Sequence, residues 1–161
     1  MSRLYILVGA PGSGKSTWVQ NNIGTLFDEN RCLYVSRDEI RFSLLKDGED
    51  YFSHEPEVFR YMVNQIVYGL SENLNVFADA THLNKQSRAK LVNAINRQFL
   101  INYEIYFIFF DVCLAVCTKR NAQRVGRAYV PEKILEQMFS KMTVPQLNEF
   151  PNCIGIWMVR E

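Results

Sequence analysis

The sequence lacks the features that would indicate a membrane protein, a fibrous protein or a chain of several domains. It has no apolar run near the ~20 residues that span a bilayer, no internal repeat, and no linker rich in proline, glycine or serine. The apolar run Leu4–Val8 is too short for a signal peptide. A chain of 161 residues has the length of one domain with its own core. We therefore expect a single soluble, intracellular domain over residues 1–161, with no membrane partner.

A strong net charge and paired cysteines are also lacking. The formal net charge is only +1, so nucleic acid would have to be bound by a local basic patch. The four cysteines form no CxxC pair and have no histidine cluster nearby, which argues against a zinc site or a redox motif. We expect buried free thiols in a reducing compartment, at Cys32, Cys113, Cys117 and Cys153.

What the sequence does contain is an alternation of short apolar runs with segments of helical periodicity. Five runs have the length and composition of buried strands, namely Leu4–Val8, Cys32–Val35, Asn75–Ala78, Tyr103–Phe110 and Ile154–Val159. Continuous apolar strands that alternate with helices are typical of a parallel sheet covered on both faces. The expected fold is a three-layer α/β domain around a mostly parallel, five-stranded sheet. In such sheets, ligands bind beyond the carboxyl ends of the strands.

Three of the helices are predicted from apolar residues at spacings of three and four. The first would bury a face made of Phe59, Met62, Val63, Ile66, Val67 and Leu70. Asn84 is suited to cap a second helix, which carries Leu91, Ile95 and Phe99. Pro131 suits the first turn of a third helix, whose expected inward residues are Ile134, Leu135, Met138, Phe139 and Met142.

A glycine-rich loop follows the first strand and matches the pattern GxxxxGK[ST]. Glycines in such a loop adopt positive φ and bring backbone N–H groups close to phosphate oxygens, and a helix starting near Lys15 adds its positive dipole end. Lys15 would reach the β- and γ-phosphates, and the Ser16 hydroxyl would complete part of a magnesium shell. The pattern predicts that nucleotide phosphates are bound by Gly9, Ala10, Pro11, Gly12, Ser13, Gly14, Lys15, Ser16 and Thr17.

Two aspartates follow predicted strands at the same edge of the sheet. Asp38 comes after the second strand, where an acidic residue can orient a hydroxyl nucleophile and accept its proton. Aspartate is also a common helix N-cap, and the spacing leaves both roles open. Asp79 ends the third strand beside the loop, which favours a magnesium ligand over an ordinary turn residue.

A basic segment at residues 119–127 carries Lys119, Arg120, Arg124 and Arg127. In a kinase, a lid at this position would bring arginine onto the transferring phosphoryl group and exclude water. The alternative is a solvated basic helix face. The phosphate loop in the same chain favours the lid.

Several sequence blocks occur in the order of a known family. They are Gly9–Trp18, Ser36–Arg41, Asp79–Asn84, Phe110–Val112 with Lys119–Asn121, Val130–Pro131 and Met138–Met142. In these blocks the chain resembles the kinase domain of bacteriophage-type polynucleotide kinases, within the small P-loop kinases. The blocks span most of the chain, and together they are much more specific than the loop alone.

The resemblance implies a function and a set of roles. It implies transfer of the γ-phosphate of ATP, with Mg²⁺, to the 5′-hydroxyl end of DNA or RNA, in the cytoplasm or in a phage-infected host. Lys15 would be catalytic as well as phosphate-binding, and Asp38 would be the general base. Arg41 would grip the substrate phosphate next to the reacting hydroxyl, and Arg37 would assist it.

The sequence departs from the family pattern in two places. The resemblance matches Arg124 to the catalytic lid arginine. Because the lid, at about residues 119–130, is one residue longer than the family pattern, Arg120 and Arg127 also stay candidates for ATP contacts. The alignment near Asp79 slips by one, which makes Thr81 and His82 candidate substrate contacts. No DxDxT motif occurs, so we expect no phosphatase domain.

Two other functions stay open. A kinase of a small molecule or of a modified nucleobase hydroxyl would share the fold but would not need Arg41 at a neighbouring phosphate. An NTPase switch without an acceptor would give Asp38 no role. For the polynucleotide kinase, candidates for a nucleic acid surface are Arg37, Arg41, Arg60, Lys85 and Arg88, with Tyr51, Phe52 or His54 for stacking.

Overall fold

Strands and helices alternate along most of the chain in the computed structural model, which describes residues 1–161. The strands are β1 (Arg3–Val8), β2 (Cys32–Ser36), β3 (Asn75–Asp79), β4 (Glu104–Asp111) and β5 (Cys153–Arg160). The α-helices are α1 (Lys15–Asn22), α2 (Arg37–Leu44), α3 (Glu55–Ser71), α4 (Lys85–Gln98), α5 (Leu114–Ala122) and α6 (Glu132–Ser140). All five predicted strands are present, and their ends differ from the prediction by one residue or less.

The five strands form one parallel sheet in the order β2-β3-β1-β4-β5. Strand β1 lies at the centre, and Leu7 is in register with Asp79 on one side and with Ile108 on the other. Because the strands are parallel, their carboxyl ends meet at one edge. The loops that follow β1, β2 and β3 therefore converge there, as the sequence predicts.

Side chains of β1 alternate between two cores, one on each face of the sheet. Leu4 and Ile6 pack in the core that α3 and α4 cover. Tyr5 and Leu7 pack in the smaller core, to which α1, α5 and α6 contribute one buried residue each. This arrangement confirms the three-layer α/β fold.

Helices α3 and α4 agree with the predicted pattern. The predicted apolar face of α3 is turned to the core, with Met62, Val63 and Ile66 buried. Asn84 caps α4 in a capping box with Ser87, so its side chain satisfies an N–H group that the first turn leaves without a helical partner.

Helix α6 differs from the prediction. Pro131 is its N-cap rather than a residue of the first turn, and Met142 lies beyond its end. Of its predicted inward residues only Leu135 is buried, while Ile134 is 39% exposed. The reason is that α6 covers the sheet with one narrow stripe, and Ile134 and Met138 border an open cavity instead.

The cysteines also differ from the prediction. All four are free thiols, as expected, but only Cys117 is buried, and Cys113 is exposed. Cys113 follows β4 and is the N-cap residue of α5. None of the α-helices combines the length and the apolar composition that a bilayer-spanning segment needs.

A buried ion pair joins α4 to the segment that precedes β5. The guanidinium of Arg88 donates to both carboxylate oxygens of Glu149, at 2.8 and 3.0 Å, and also to the carbonyls of His82 and Thr143. Arg88 is 1% exposed. The prediction that Arg88 contributes to a nucleic acid surface is therefore wrong, and its hydrogen bonds show that it holds the chain after β3 in place.

Loss of this pair should destabilise the fold strongly. Replacing Arg88 with methionine (Arg88→Met) leaves the Glu149 carboxylate buried without a partner, which typically costs about 3–5 kcal/mol. Chemical denaturation should show that loss, whereas Lys85→Met, at an exposed site of the same helix, should change the free energy of unfolding by no more than about 0.5 kcal/mol. Equal stability of Arg88→Met and the parent chain would contradict a structural role for the pair.

Candidate active site

The glycine loop wraps closely around the start of α1. Gly12 and Gly14 have φ of +82° and +93°, a conformation that side chains with a Cβ rarely adopt. A Cβ at Gly12 would also lie 2.7 Å from the carbonyl oxygen of Cys117 in α5. The N–H of Gly9 donates to the carbonyl of Thr81 at 3.1 Å, which ties the loop to the segment after β3.

Lys15 lies inside the loop. Its Nζ donates to the carbonyls of Gly9 and Ala10 at 2.9 and 3.1 Å, so the ammonium is held at the centre of the curve. Burial lowers the pKa of Lys15, and the negative charge of Asp79 opposes that shift. A desolvated ammonium with few counter-charges is a strong partner for an incoming phosphate.

The two residues predicted to bind a metal ion, Ser16 and Asp79, lie side by side. The Ser16 hydroxyl donates to Asp79 Oδ2 at 2.8 Å, and the Tyr34 hydroxyl on β2 donates to the same oxygen. Burial, and then the charge of Asp79, raise the pKa of Tyr34, which keeps its proton on the phenol. A hydroxyl and a carboxylate side by side are the oxygen donors that Mg²⁺ prefers, so these residues fit the ion.

Asp38 stands at the start of α2 with one oxygen free. Its Oδ1 accepts hydrogen bonds from Arg41 and from the Tyr51 hydroxyl, the latter at 2.7 Å. Oδ2 accepts none from the protein, and the side chain is 55% exposed. Ser36, rather than Asp38, caps α2 by accepting from the N–H of Glu39. The N-cap alternative for Asp38 is therefore wrong.

Arg41 lies beside Asp38, as expected, but it is 6% exposed and almost fully engaged. Its Nε and Nη2 donate to Glu55, and its Nη1 donates to Asp38 and Tyr51. Of the five N–H groups of a guanidinium, one on Nη2 remains for a substrate. Its contacts with Asp38 and Tyr51 make Arg41 a support for Asp38.

The other predicted substrate residues, Arg37, His82 and Thr81, border a cavity that Asp38 and Arg41 also line. Arg37 is half-buried, and its Nε has no hydrogen-bond partner. His82 is buried with a left-handed φ of +45°, and its Nδ1–H donates to the Leu7 carbonyl at 2.7 Å. Burial lowers the pKa of His82 to about 4, so the ring is neutral near pH 7. Thr81 is half-buried and also borders the cavity.

The three lid arginines occupy different positions. Arg120 donates to the Gly12 carbonyl at 3.4 Å and pairs with Glu161. Arg124 borders the cavity and lies close enough to Lys15 for its charge to lower the Lys15 pKa. Arg127 donates to the Lys46 carbonyl at 2.9 Å, so the lid touches the loop between α2 and α3.

The base of the lid is closed by Asn121. Its amide donates to the Val130 carbonyl at 2.6 Å and accepts from the Val130 N–H at 3.0 Å. These two bonds join both ends of the basic segment, and Gly126, with φ of +60°, lies between them. The predicted lid is thus a loop with a fixed base, and Arg124 projects from it into the cavity.

A single cavity of about 750 Å³ contains most of these groups. Six cationic and three anionic side chains line it, although the whole chain carries a net charge of only +1. The cationic residues are Lys15, Arg37, Arg41, Lys90, Arg124 and Arg127, and the anionic residues are Asp38, Glu55 and Asp79. The near-neutral net charge implied that nucleic acid could be bound only at a local basic patch. This cavity provides such a patch.

Sequence reasoning missed Glu55, and it assigned Tyr51 to base stacking rather than to contacts with Asp38 and Arg41. Glu55 and Tyr51 meet Arg41 only through the fold of the α2–α3 loop, which leaves no periodic signal. Arg88 could have been found, because it precedes Leu91 and Ile95 by three and seven residues and so shares their buried face.

The chain was also compared with known proteins. Residues 4–145 match the profile of a family described as AAA domain, and they include the phosphate loop, Asp38, Asp79 and the lid. The chain belongs to the AAA domain family. Its fold is that of the P-loop kinases, as the sequence blocks predict.

Two solved structures of the Pnkp1/Rnl/Hen1 complex contain a chain similar to this AAA domain. One shares 30% identity over 77% of this chain and 40% of its own, with a TM-score of 0.62. The other, described as an RNA repair complex, shares 27% identity over 87% of this chain and 43% of its own, with a TM-score of 0.71. The present chain therefore spans less than half the length of either of them.

A third similar structure shows the fold alone. It is a sugar kinase from Janibacter with 15% identity, which covers 99% of this chain and 86% of its own at a TM-score of 0.63. The AAA domain thus has the fold of kinases that differ in their substrates.

The neutral, buried His82 should make the stability of this AAA domain depend on pH. Its pKa is about 4 when folded and about 6.5 when unfolded, so between these values only the unfolded chain takes up a proton here. The contribution is complete above pH 6.5 and is lost as the pH falls towards 4, by up to about 1.4 kcal/mol per unit.

Denaturation of His82→Asn at several pH values checks this expectation. Asparagine tolerates the left-handed backbone and does not titrate, so the variant should lose less stability between pH 6.5 and 4 than the parent. The matched control is His54→Asn, at the other histidine of the chain. Parallel pH curves for parent and His82→Asn would refute the buried, neutral state.

Proposed function

We propose that the chain is an ATP-dependent polynucleotide 5′-hydroxyl kinase with Asp38 as its general base. The observation that carries the proposal is the free Oδ2 of Asp38, which borders the same cavity as Lys15, Ser16 and Asp79. A base with an open oxygen and a phosphate loop in one cavity provides for both partners of a phosphoryl transfer. A domain of this kind phosphorylates nucleic acid ends for repair.

The donor side consists of the glycine loop and its neighbours. The loop N–H groups and Lys15 bind the β- and γ-phosphates of ATP. When Mg²⁺ is bound by Ser16 and Asp79, it offsets negative charge on the phosphates. Tyr34 keeps Asp79 in position through its hydrogen bond to Oδ2.

The acceptor side consists of Asp38 and the residues that hold it. The 5′-oxygen forms a bond to the γ-phosphorus, the bond from that phosphorus to the bridging oxygen of ADP breaks, and the hydroxyl proton passes to Asp38. Arg41 and Tyr51 hold Oδ1 and leave Oδ2 for that proton. Arg124 from the lid supplies positive charge to the equatorial oxygens of the transferring group.

Two features favour a nucleic acid as acceptor. The cavity carries three more cationic than anionic side chains, which suits an acceptor with phosphates of its own. At its rim, Phe52 is 61% exposed and packs edge-on against Tyr51, so an aromatic face is open to a base. Similarity to a chain of the Pnkp1/Rnl/Hen1 RNA repair complex points the same way.

A transfer assay with labelled ATP and magnesium tests the proposal. The acceptors are 5′-hydroxyl oligonucleotides of DNA and RNA, a nucleoside 3′-monophosphate and an unphosphorylated nucleoside. We expect label on a 5′-hydroxyl oligonucleotide, and Asp38→Asn should lower that transfer by about 100-fold or more without weakening ATP binding. Glu39→Gln, at the exposed neighbouring position, is the matched control and should stay near the parent rate.

Other outcomes identify the alternatives. Label on the nucleoside but on no oligonucleotide would replace the proposal with a small-molecule kinase of the same fold. ATP hydrolysis that is equal with and without acceptor, and that survives Asp38→Asn, would replace it with an NTPase switch.

A further inference from the structure

The cations around the acceptor side differ in how far the protein neutralises them. Arg41 pairs with both Asp38 and Glu55. Lys90 borders the same cavity with no carboxylate within 4.0 Å, and Arg37 has only Glu55, at 4.0 Å. A phosphate entering this region would therefore meet its strongest unbalanced positive charge at Arg37 and Lys90.

Arg37 is poorly satisfied for a half-buried guanidinium. Its Nε is buried and has no hydrogen-bond partner, and its nearest carboxylate oxygen, on Glu55, is 4.0 Å from Nη2. Glu55 is already held at hydrogen-bond distance by Arg41. Burial lowers the pKa of Arg37, the charge of Glu55 opposes that shift, and the charge of Arg41 adds to it, so a further anion would stabilise the charged guanidinium.

Lys90, an exposed residue of α4, approaches the same aromatic ring as Arg37. Its Nζ lies 4.7 Å from the ring centre of Phe59, whose other cationic neighbour is the Arg37 guanidinium at 5.8 Å. No carboxylate lies within 4.0 Å of Lys90. Two like charges near one aromatic ring repel each other, and an anion bound beside them offsets that repulsion.

We propose that Arg37 and Lys90, which both lie near the ring of Phe59, form a second anion site for phosphate groups of the acceptor. The proposal rests on the proposed function and assigns it a specificity site. It ascribes to Arg37 and Lys90 the phosphate binding that the sequence assigned mainly to Arg41. It also gives Lys90 a role that no sequence motif indicates.

An equilibrium titration tests the site apart from catalysis. The phosphate loop is first saturated with magnesium and a non-hydrolysable ATP analogue, so that added phosphates do not bind there. A 5′-hydroxyl oligonucleotide, a nucleoside 3′-monophosphate and the plain nucleoside are then titrated against the parent, Arg37→Gln, Lys90→Gln and Lys90→Arg. Arg97→Gln, at an exposed arginine on the same helix outside the cavity, is the control.

We expect Lys90→Gln and Arg37→Gln each to weaken oligonucleotide binding about 10-fold. Each should also reduce the slope of log K against log salt by about 0.7, the value for one contact to a single strand. Lys90→Arg should retain most of the affinity, and Arg97→Gln should match the parent. A loss of packing alone would not change the salt slope, and thermal melting of each variant shows whether it is folded.

The probes separate the sources of phosphate. Weaker binding of both the nucleoside monophosphate and the oligonucleotide supports a site next to the reacting nucleoside, and an effect on the oligonucleotide alone supports contact with the more distant backbone. Parent affinities and salt slopes in folded Lys90→Gln and Arg37→Gln would overturn the inference. Failure of label transfer would instead count against the proposed function, because the titration does not depend on turnover.

Discussion

Parallel pairing of β1 with β3 is the constraint on which the candidate active site depends. It sets Leu7 opposite Asp79, so the loop after β1 and the aspartate that ends β3 meet at the same edge of the sheet. The bond from the Gly9 N–H to Thr81 and the bond from Ser16 to Asp79 follow from that register. A shift of one residue would turn Asp79 to the other face and separate the phosphate loop from its metal ligand.

The acceptor side depends on a second, softer arrangement. Glu55 at the start of α3 holds Arg41, and Arg41 with Tyr51 holds one oxygen of Asp38. This chain of contacts orients the base but uses most of the hydrogen-bonding capacity of Arg41. The positive charge that remains for an acceptor comes from Arg37, Lys90 and the lid. A chain with a net charge of only +1 thus has a local excess of cations in one cavity.

Much of this could be predicted from the sequence because it is local. Strands such as β4 and the loop up to Lys15 are specified by residues next to each other, and Asn84 caps α4 with its own neighbours. The failures come from contacts between distant residues. Arg88 meets Glu149 across 61 positions, and Ile134 borders the cavity because α6 covers only a narrow part of the sheet. The burial of Arg88 has a local signal in its spacing to Leu91 and Ile95, but its partner Glu149 and the cavity beside Ile134 have none within a short window of sequence.

A crystal structure of the chain with magnesium, a non-hydrolysable ATP analogue and a short 5′-hydroxyl oligonucleotide tests the central claim most directly. The account predicts the terminal 5′-oxygen at about 2.6–3.2 Å from Asp38 Oδ2, in line with the γ-phosphate and the bridging oxygen held by the loop. An oligonucleotide end bound outside the cavity, or an Asp38 carboxylate turned away from the hydroxyl while the loop is filled, would contradict it.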